Sequence, residues 1–266
     1  MTANTPSEVL ARAARAARTA YTEARAAYGR EALAETVAMG ADGTPSMRID
    51  MLVEGAILQA LDGVPVNVLS EETGFVDRGS AATLVIDPLD GSANGAAGVP
   101  LTAFAGAVAI DGEFTEALTV WLDTGRSWSA RHDRPPAYRT SGRTALRGAA
   151  VSLLRPHTAT PAAATAWWAV AETAARIRIL STTCLEAALV AEGATDAFAD
   201  ACSDTHRLVD LAAAQIMVPA AGGAVIDAYG RPITFDPDLT RRWSGIIAAT
   251  PTLATELATT LTGQAG

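Results

Sequence analysis

The chain has 266 residues, 49% of them hydrophobic and 18% charged, with a formal charge of −9 and a pI near 4.8. This length and composition specify a folded protein with a substantial core and exclude a disordered or fibrous chain. The acidic balance argues against a nucleic-acid partner, but it leaves room for a phosphate substrate wherever a bound cation reverses the local field.

Val9, Ala13, Ala17, Tyr21, Ala24 and Tyr28 recur at helical spacing, so the Arg- and Ala-rich opening reads as an amphipathic helix over residues 6–37 rather than as a transit peptide. No apolar h-region is visible at the N-terminus, and no apolar run approaches the roughly 20 residues that span a bilayer. The two cysteines, Cys184 and Cys202, lack metal-ligand spacing and read as reduced structural thiols in preference to a disulfide. The expectation is a cytoplasmic protein with no membrane partner.

A loop, Gly40-Ala41-Asp42-Gly43-Thr44-Pro45, precedes a second helix whose apolar face carries Ile49, Val53, Ala56, Ile57, Ala60 and Leu61. Val64, Val66 and Val68 alternate, which predicts a strand ending at Ser70, and residues 82–86 predict a short apolar strand. Strands over 102–110 and 114–120 are joined at Asp111-Gly112, a hairpin signal. Residues 127–130 and 137–140 read as a further strand pair.

The second half alternates: strand 151–154, helix 161–176, strand 178–180, helix 183–193, strand 196–199, helix 207–221, and strands 224–226 and 244–248. A last helix over 250–261 has Thr250 as N-cap and Pro251 at its first position. Hairpins first and alternation later predict an α+β half, residues 1–145, packed on an α/β half, residues 146–266, with the seam at 141–148.

Acids concentrate beside strand ends and on helices: Ser70-Glu71-Glu72-Thr73-Gly74, Asp87-Pro88-Leu89-Asp90-Gly91-Ser92, Asp210-Leu211-Ala212-Ala213-Ala214, and Asp50. Pro88 biases Asp87 to an extended conformation, and the turn after it can aim two carboxylates and the Leu89 carbonyl at one point. Gly91 permits an unusual backbone angle or the close approach of a ligand. Hard oxygens in this pattern suit magnesium, and the N–H groups after the turn suit phosphate. On the residues alone, Asp90 as a turn cap and Glu71-Glu72 as a solvated pair are the favoured readings. Asp210 stands in a mostly apolar run, where a carboxylate needs a partner or a metal.

The order Ser-Glu-Glu, then Asp-Pro-Leu-Asp-Gly-Ser, then Asp-Leu-Ala-Ala followed by Ala-Gly-Gly resembles the inositol monophosphatase superfamily. Gly40 to Ser46 and Arg48-Ile49-Asp50 are similar to the mobile loop and following helix of its archaeal and bacterial members, many of which act on inositol phosphate and fructose 1,6-bisphosphate. The resemblance covers roughly residues 6–250. It implies a layered αβαβα sandwich of the sugar phosphatase type, working as a homodimer, and magnesium-dependent hydrolysis of a small phosphate monoester with lithium sensitivity. It further implies a first ion on Glu71, Asp87 and the Leu89 carbonyl, a second on Asp87, Asp90 and Asp210, and a weaker third leaning on Glu71. Ser92 would present its hydroxyl to the attacking water, Asp50 would orient that hydroxyl, and Glu72 would be an acid behind the ligands. Gly91 and Ser92 would cradle the phosphate; Ser181, Thr182, Thr183 and Asp200 would meet the substrate.

Three features depart from the family's pattern. Val209 stands where many members carry Trp, Ser181-Thr182 where Gly-Ser or Gly-Thr is usual, and the 201–207 stretch is a few residues longer than in animal members. All three bear on the leaving group, which leaves a 3'(2'),5'-bisphosphate nucleotidase or a histidinol-phosphate phosphatase as alternatives. A catalytically silent sugar-phosphate-binding protein is the non-enzyme alternative. Gly222-Gly223 and the 40–43 loop lack the strand–GxGxxG–helix order of a dinucleotide site. His132, His157 and His206 fall outside the matching positions and read as surface or structural.

Overall fold

The computed structural model describes residues 7–155 and 161–263, so Pro6, at the predicted start of the first helix, and His157 lie outside the described residues. The chain opens with α1 (Glu8–Ala27), α2 (Arg30–Leu33), β1 (Thr36–Met39), β2 (Pro45–Met47) and α3 (Arg48–Ala60). There follow β3 (Asn67–Ser70), β4 (Gly74–Val76), β5 (Ala82–Asp90), α4 (Ser92–Ala97), β6 (Ala103–Ile110), β7 (Glu113–Trp121) and β8 (Ser127–Arg131). The remainder is β9 (Ala150–Leu153), α5 (Pro161–Thr173), β10 (Arg176–Arg178), α6 (Thr183–Ala191), β11 (Ala197–Ala199), α7 (Leu208–Ala220), β12 (Ala224–Asp227), β13 (Gly245–Ala248) and α8 (Pro251–Thr262).

The period-two alternation along the strands builds the layers. Leu84 and Ile86 of β5, with Phe104 of β6, face Leu10 and Ala17 of α1 and Ile49, Val53 and Ile57 of α3. Val85, Ala105 and Ala107 point the other way, onto Leu185 of α6 and Leu211 and Ala212 of α7. Those two helices also cover Phe198 and Ile247 of the second sheet. The far face of that sheet, through Val151, Ile246 and Ala248, packs on Val170 of α5 and Leu253 and Leu257 of α8. The sheets run β4-β3-β5-β6-β7-β8 and β10-β9-β11-β13-β12. The result is the expected αβαβα sandwich, with α6 and α7 buried between two sheets and apolar nearly all round.

Two registers place the acidic strand ends. β3 and β5 are parallel neighbours with Ser70 opposite Ile86, so Glu71 and Asp87 leave the same end of the sheet side by side. Between Asp87 and Asp90 the pairing of β5 with β6 shifts, because Asp87 lies opposite Ala105 and Asp90 opposite Ala103. One extra residue on β5 is a bulge, and it re-aims the carboxylates beside Pro88.

Some expectations need correction. The first helix does not run to residue 37: it stops at Ala27, Tyr28 is extended at φ −121°, and residues 36–39 pair with 45–47 as a hairpin over the Gly40–Gly43 turn. Residues 137–140 form no strand. Pro135 and Pro136 cannot donate to a ladder, and Thr140 instead gives its N–H to the Ala221 carbonyl and its hydroxyl to that of Ala249 at 2.7 Å. The strand set at 178–180 lies at Arg176–Arg178, because Ser181 turns left-handed at φ +59°. Other elements hold to within a few residues. Asp111 and Gly112 take φ of +50° and +85°, the turn a two-residue hairpin requires, and the Thr250 hydroxyl caps α8 by accepting from the Leu253 N–H at 3.2 Å.

Ser181 takes φ +59°, the left-handed region that favours glycine. A side chain held in the left-handed region costs about 1–3 kcal/mol, and a glycine's extra unfolded freedom returns about 0.5–1 kcal/mol of that. Ser181→Gly is therefore expected to stabilise the fold by about 0.5–1 kcal/mol, read as a higher midpoint in urea denaturation at unchanged slope.

Candidate metal centre

The ends of β3 and β5 and the first turn of α7 meet at one place. Asp87 is buried and its Oδ1 accepts the Leu89 N–H at 3.1 Å, a contact made possible by the bulge. Asp90 is buried as well, and its Oδ2 accepts the Thr182 hydroxyl at 2.5 Å and the N–H groups of Cys184 at 2.9 Å and Leu185 at 3.3 Å. The start of α6 thus holds Asp90 with its N-terminal amides. Asp210 is the third residue of α7, and its Oδ2 accepts the Arg207 N–H at 2.6 Å, which closes that helix's first turn. The Cys184 thiol lies 3.8 Å from Asp87 Oδ2 and 3.5 Å from the Asp210 carbonyl, and its one S–H can donate to either, which packs the strand end against the helix.

Arg207 closes the cluster. Its Nη2 reaches Asp210 Oδ1 at 2.9 Å, its Nε reaches Asp210 Oδ2 at 3.1 Å, and its Nη1 bonds both Asp42 Oδ2 at 2.7 Å and Glu71 Oε1. The same guanidinium therefore joins Glu71 to Asp210 across 136 residues of separation from Glu71. Asp42 sits on the β1–β2 turn, where it accepts from Thr44 and lies under Arg242, whose Nη2 donates to the Asp42 carbonyl at 2.9 Å.

A second group of acids stands behind the Glu71 loop. Asp50, in the first turn of α3, accepts the Met47 N–H at 3.0 Å through Oδ2, and the Ser92 hydroxyl lies close enough to its carboxylate to act on its acidity. Glu72 accepts the Ser46 hydroxyl. Glu54, one turn beyond Asp50, accepts the N–H groups of Glu72 and Thr73, each at 3.1 Å, and so fixes the backbone that presents Glu71. Ser92 opens α4 and donates its hydroxyl to the Leu89 carbonyl at 2.9 Å. Gly91 precedes it at φ +81°, and a Cβ there would lie 2.6 Å from the Leu101 carbonyl oxygen, so only glycine fits.

Crowding shows in the acidities. Burial pushes Glu71 to about 8, opposed by Arg207 and reinforced by Asp210 and Glu72. Burial, then Glu71, Asp90 and Asp210, push Asp87 well above the carboxylate range. Asp90 rises to about 6, mainly by burial, and Asp50 to about 6 for the same reason, with the Ser92 hydroxyl pulling it down. Glu72 rises to about 7 by burial. Asp210 goes the other way: burial would raise it, but Arg207 outweighs burial and holds it low.

Such a donor set fits a hard divalent cation. Asp87 and Asp90 present carboxylate oxygens within 4.8 Å of one another, the Leu89 carbonyl keeps a free lone pair, and positive charge would relieve the repulsion that raises these carboxylates; the Cys184 sulfur beside them is a soft donor that burial keeps protonated, and it is no ligand for such an ion. A cleft of about 430 Å³ opens beside Glu71 and Arg207, lined also by Asp42, Thr44, Ser203, Asp204, Thr205 and Arg242. A shallow depression of about 460 Å³ along α1, lined by Arg15, Arg18 and Glu23, gathers none of these acids.

Not every expected residue turns toward the cleft. Thr182 is buried and gives its hydroxyl to Asp90, so it anchors a carboxylate rather than offering itself to a substrate. Thr183 is buried at the start of α6 and Ser181 is exposed. Asp200 departs most. It is 0% exposed, and its oxygens accept from the Ser203 N–H and hydroxyl and from the Thr205 N–H at 3.1 Å. It ties down the lengthened 201–207 loop instead of facing a ligand. Sequence reasoning passed over Glu54, Cys184, Arg207 and Arg242, and gave Asp42 no role. Glu54 carried a signal, an acid one helical turn from Asp50 on the face of Ile49, Val53 and Ile57. Arg242 carried none, since its contact spans 200 residues. Both cysteines are free, and His206 is buried, accepting the Gly245 N–H at 3.1 Å.

Comparison with known proteins converges on one family. The family model described as the inositol monophosphatase family matches residues 5–264. A fructose-1,6-bisphosphatase/inositol-1-monophosphatase of Thermococcus kodakarensis is 31% identical over 77% of this chain and 78% of its own. An inositol-1-monophosphatase of Mycolicibacterium smegmatis is 29% identical over 76% and 75%. The crystal structure of an extragenic suppressor protein from Bartonella henselae superposes with a TM-score of 0.80 over 95% of this chain and 96% of that one, at 24% identity, a likeness of fold.

The raised acidities give a pH signature. Glu71, Glu72 and Asp50 keep protons in the folded state that they release in the unfolded state, so stability falls as pH rises from the ordinary carboxylate range through about 6, 7 and 8. Asp210 and Asp227 are held low, and their contribution is lost only in acid, below that window. EDTA-treated protein is expected to melt at a lower temperature at pH about 8.5 than at about 5.5, and saturating magnesium is expected to flatten that slope.

Proposed function

The chain belongs to the inositol monophosphatase family and is a phosphoric monoester hydrolase, and from its acidic centre we propose that it hydrolyses a small sugar or inositol phosphate with the aid of magnesium. The observation that carries this reading is the meeting of Glu71, Asp87, Asp90 and Asp210 at one place, linked by Arg207 and Cys184. Glu71, Asp87, the Leu89 carbonyl, Asp90 and Asp210 would hold two ions, with a weaker third near Glu71. When bound, magnesium would lower the pKa of water, align it, and neutralise charge on phosphate.

The protein's own groups supply position. Asp50 has one oxygen fixed by the Met47 N–H, and the other would polarise the Ser92 hydroxyl once that hydroxyl turns from the Leu89 carbonyl, to which it donates in this structure, so as to orient the attacking water. Asp50 reaches this state mostly ionised near neutrality, since its pKa is only about 6. The N–H groups of Gly91 and Ser92 would hold phosphate oxygens, which the left-handed turn at Gly91 lets approach closely. Thr182 keeps Asp90 from rotating. Ser181, Thr183 and the 203–205 loop would border the leaving group.

The similarity to a fructose-1,6-bisphosphatase/inositol-1-monophosphatase and to an inositol-1-monophosphatase favours inositol phosphate and fructose 1,6-bisphosphate as the first substrates to test. We further propose lithium sensitivity, a cytoplasmic homodimer, and two halves meeting near residue 145. Among the described residues no helix is long and apolar enough to cross a membrane.

Phosphate release from a panel of inositol, sugar, histidinol and nucleoside bisphosphates is expected to require magnesium. Asp87→Asn is expected to cost more than the roughly 100-fold typical of losing an outer partner of a metal ligand, with the fold retained by circular dichroism. Full activity in Asp87→Asn would remove the metal assignment, and tight binding of the whole panel without turnover would favour a binding protein. Lithium in the tens of millimolar is expected to suppress turnover, and undiminished activity there would contradict the assigned ion cluster.

A further inference from the structure

Arg207 takes no part in the proposed chemistry, yet it is the most heavily engaged cation among the described residues, with three carboxylates on one guanidinium. Two of those, Glu71 and Asp210, are the proposed metal ligands that flank the site. Both Asp210 oxygens are taken, Oδ1 by Nη2 at 2.9 Å and Oδ2 by Nε at 3.1 Å and by the Arg207 N–H at 2.6 Å. Glu71 Oε1 is taken by Nη1. An oxygen has lone pairs enough for two partners, but a guanidinium and a dication on the same oxygens repel across a poorly screened, buried space.

We infer that Arg207 is an internal counter-cation that competes with divalent ions for Glu71 and Asp210, so that loading the site requires its guanidinium to withdraw. The inference rests on the metal reading of the acidic centre. The route of withdrawal is present. Asp42 already accepts from Nη1 at 2.7 Å and belongs to no proposed metal site, so it can keep the guanidinium when the other two carboxylates release it. The cleft lined by Ser203, Asp204, Thr205 and Arg242 lies on that side. Side-chain length allows the shift, and the arginine is 17% exposed where Asp42 is 0%. The turn carrying Asp42 is thereby coupled to metal occupancy, since it gains whatever hold on Arg207 the ligands lose.

Magnesium titration by calorimetry, with melting curves in EDTA and in magnesium, tests this on the full chain. Arg207→Gln is expected to bind magnesium about tenfold more tightly than the natural protein and to melt lower in EDTA. Arg207→Lys keeps a charge but not the fork, and is expected to fall between the two. Arg207→Gln that folds only when magnesium is supplied also supports the inference, because the ion then replaces the guanidinium. Should Arg207→Gln not fold at all, tighter binding in Arg207→Lys supports it. Magnesium affinity equal to or weaker than the natural protein's in the folded variant overturns it, leaving the metal reading intact. No magnesium binding in any of the three overturns both.

Discussion

Like-charge repulsion among Glu71, Asp87, Asp90 and Asp210 is the constraint around which this fold is arranged. Withdrawn from water and set close together, Glu71, Asp87 and Asp90 resist ionisation and are driven upward by burial and by neighbouring charge, while Arg207 keeps Asp210 low. Solvent cannot relieve the repulsion in such a place, so a cation must, whether guanidinium or metal. A site with that demand is held open only by a scaffold rigid enough to keep the acids from moving apart.

The scaffold answers from both sides. β3 and β5 lie parallel in the sheet interior, and the register of Ser70 on Ile86 brings Glu71 and Asp87 out together. The bulge at Pro88 then turns Asp90 toward α6, whose first amides seize it. α7 lies between the sheets with almost every residue buried, so it cannot rotate to take Asp210 elsewhere. The N-terminal turns of α6 and α7 each receive a carboxylate, a favourable match of charge and helix dipole that offsets part of the repulsion. Function and architecture are joined here because the acids come from the middle layer and from the sheet it packs against.

Much of this was legible in the residues. Alternation gave β3, a short apolar run gave the start of β5, the Asp-Gly pair gave the hairpin after β6, and the acids after those strands gave Glu71, Asp87 and Asp90 as candidates. Asp210 stood out as a charge in an apolar run. Interactions between distant segments escaped. The helical spacing that ends at Tyr28 reads as continuing to residue 37, while the chain turns there to pair residues 36–39 with 45–47, a tertiary pairing that local pattern does not announce. Residues 137–140 carry a strand-like composition, but their hydrogen bonds go to the distant Ala221 and Ala249. The bond from the Thr182 hydroxyl to Asp90 was not legible either, because a hydroxyl's direction depends on what lies opposite it.

The departures from the family's pattern gather on one side of the cleft. Ser181 is left-handed where glycine is usual, and the lengthened 201–207 stretch holds two more non-glycine residues in that region, Cys202 at φ +61° and Asp204 at φ +50°. Asp200 spends its carboxylate on pinning this stretch, and Arg231 pins it again through Asp204 at 2.5 Å. Strain kept in place by buried hydrogen bonds and an ion pair is a shaped surface, not slack in the chain. The phosphate side is dictated by sheet register and helix termini, which any member of the fold must reproduce to gather its acids. On the function we propose, the leaving group would meet a loop whose geometry these particular residues impose. That reading separates the two tasks: chemistry would follow from the layers, and substrate choice from the loop between β11 and α7.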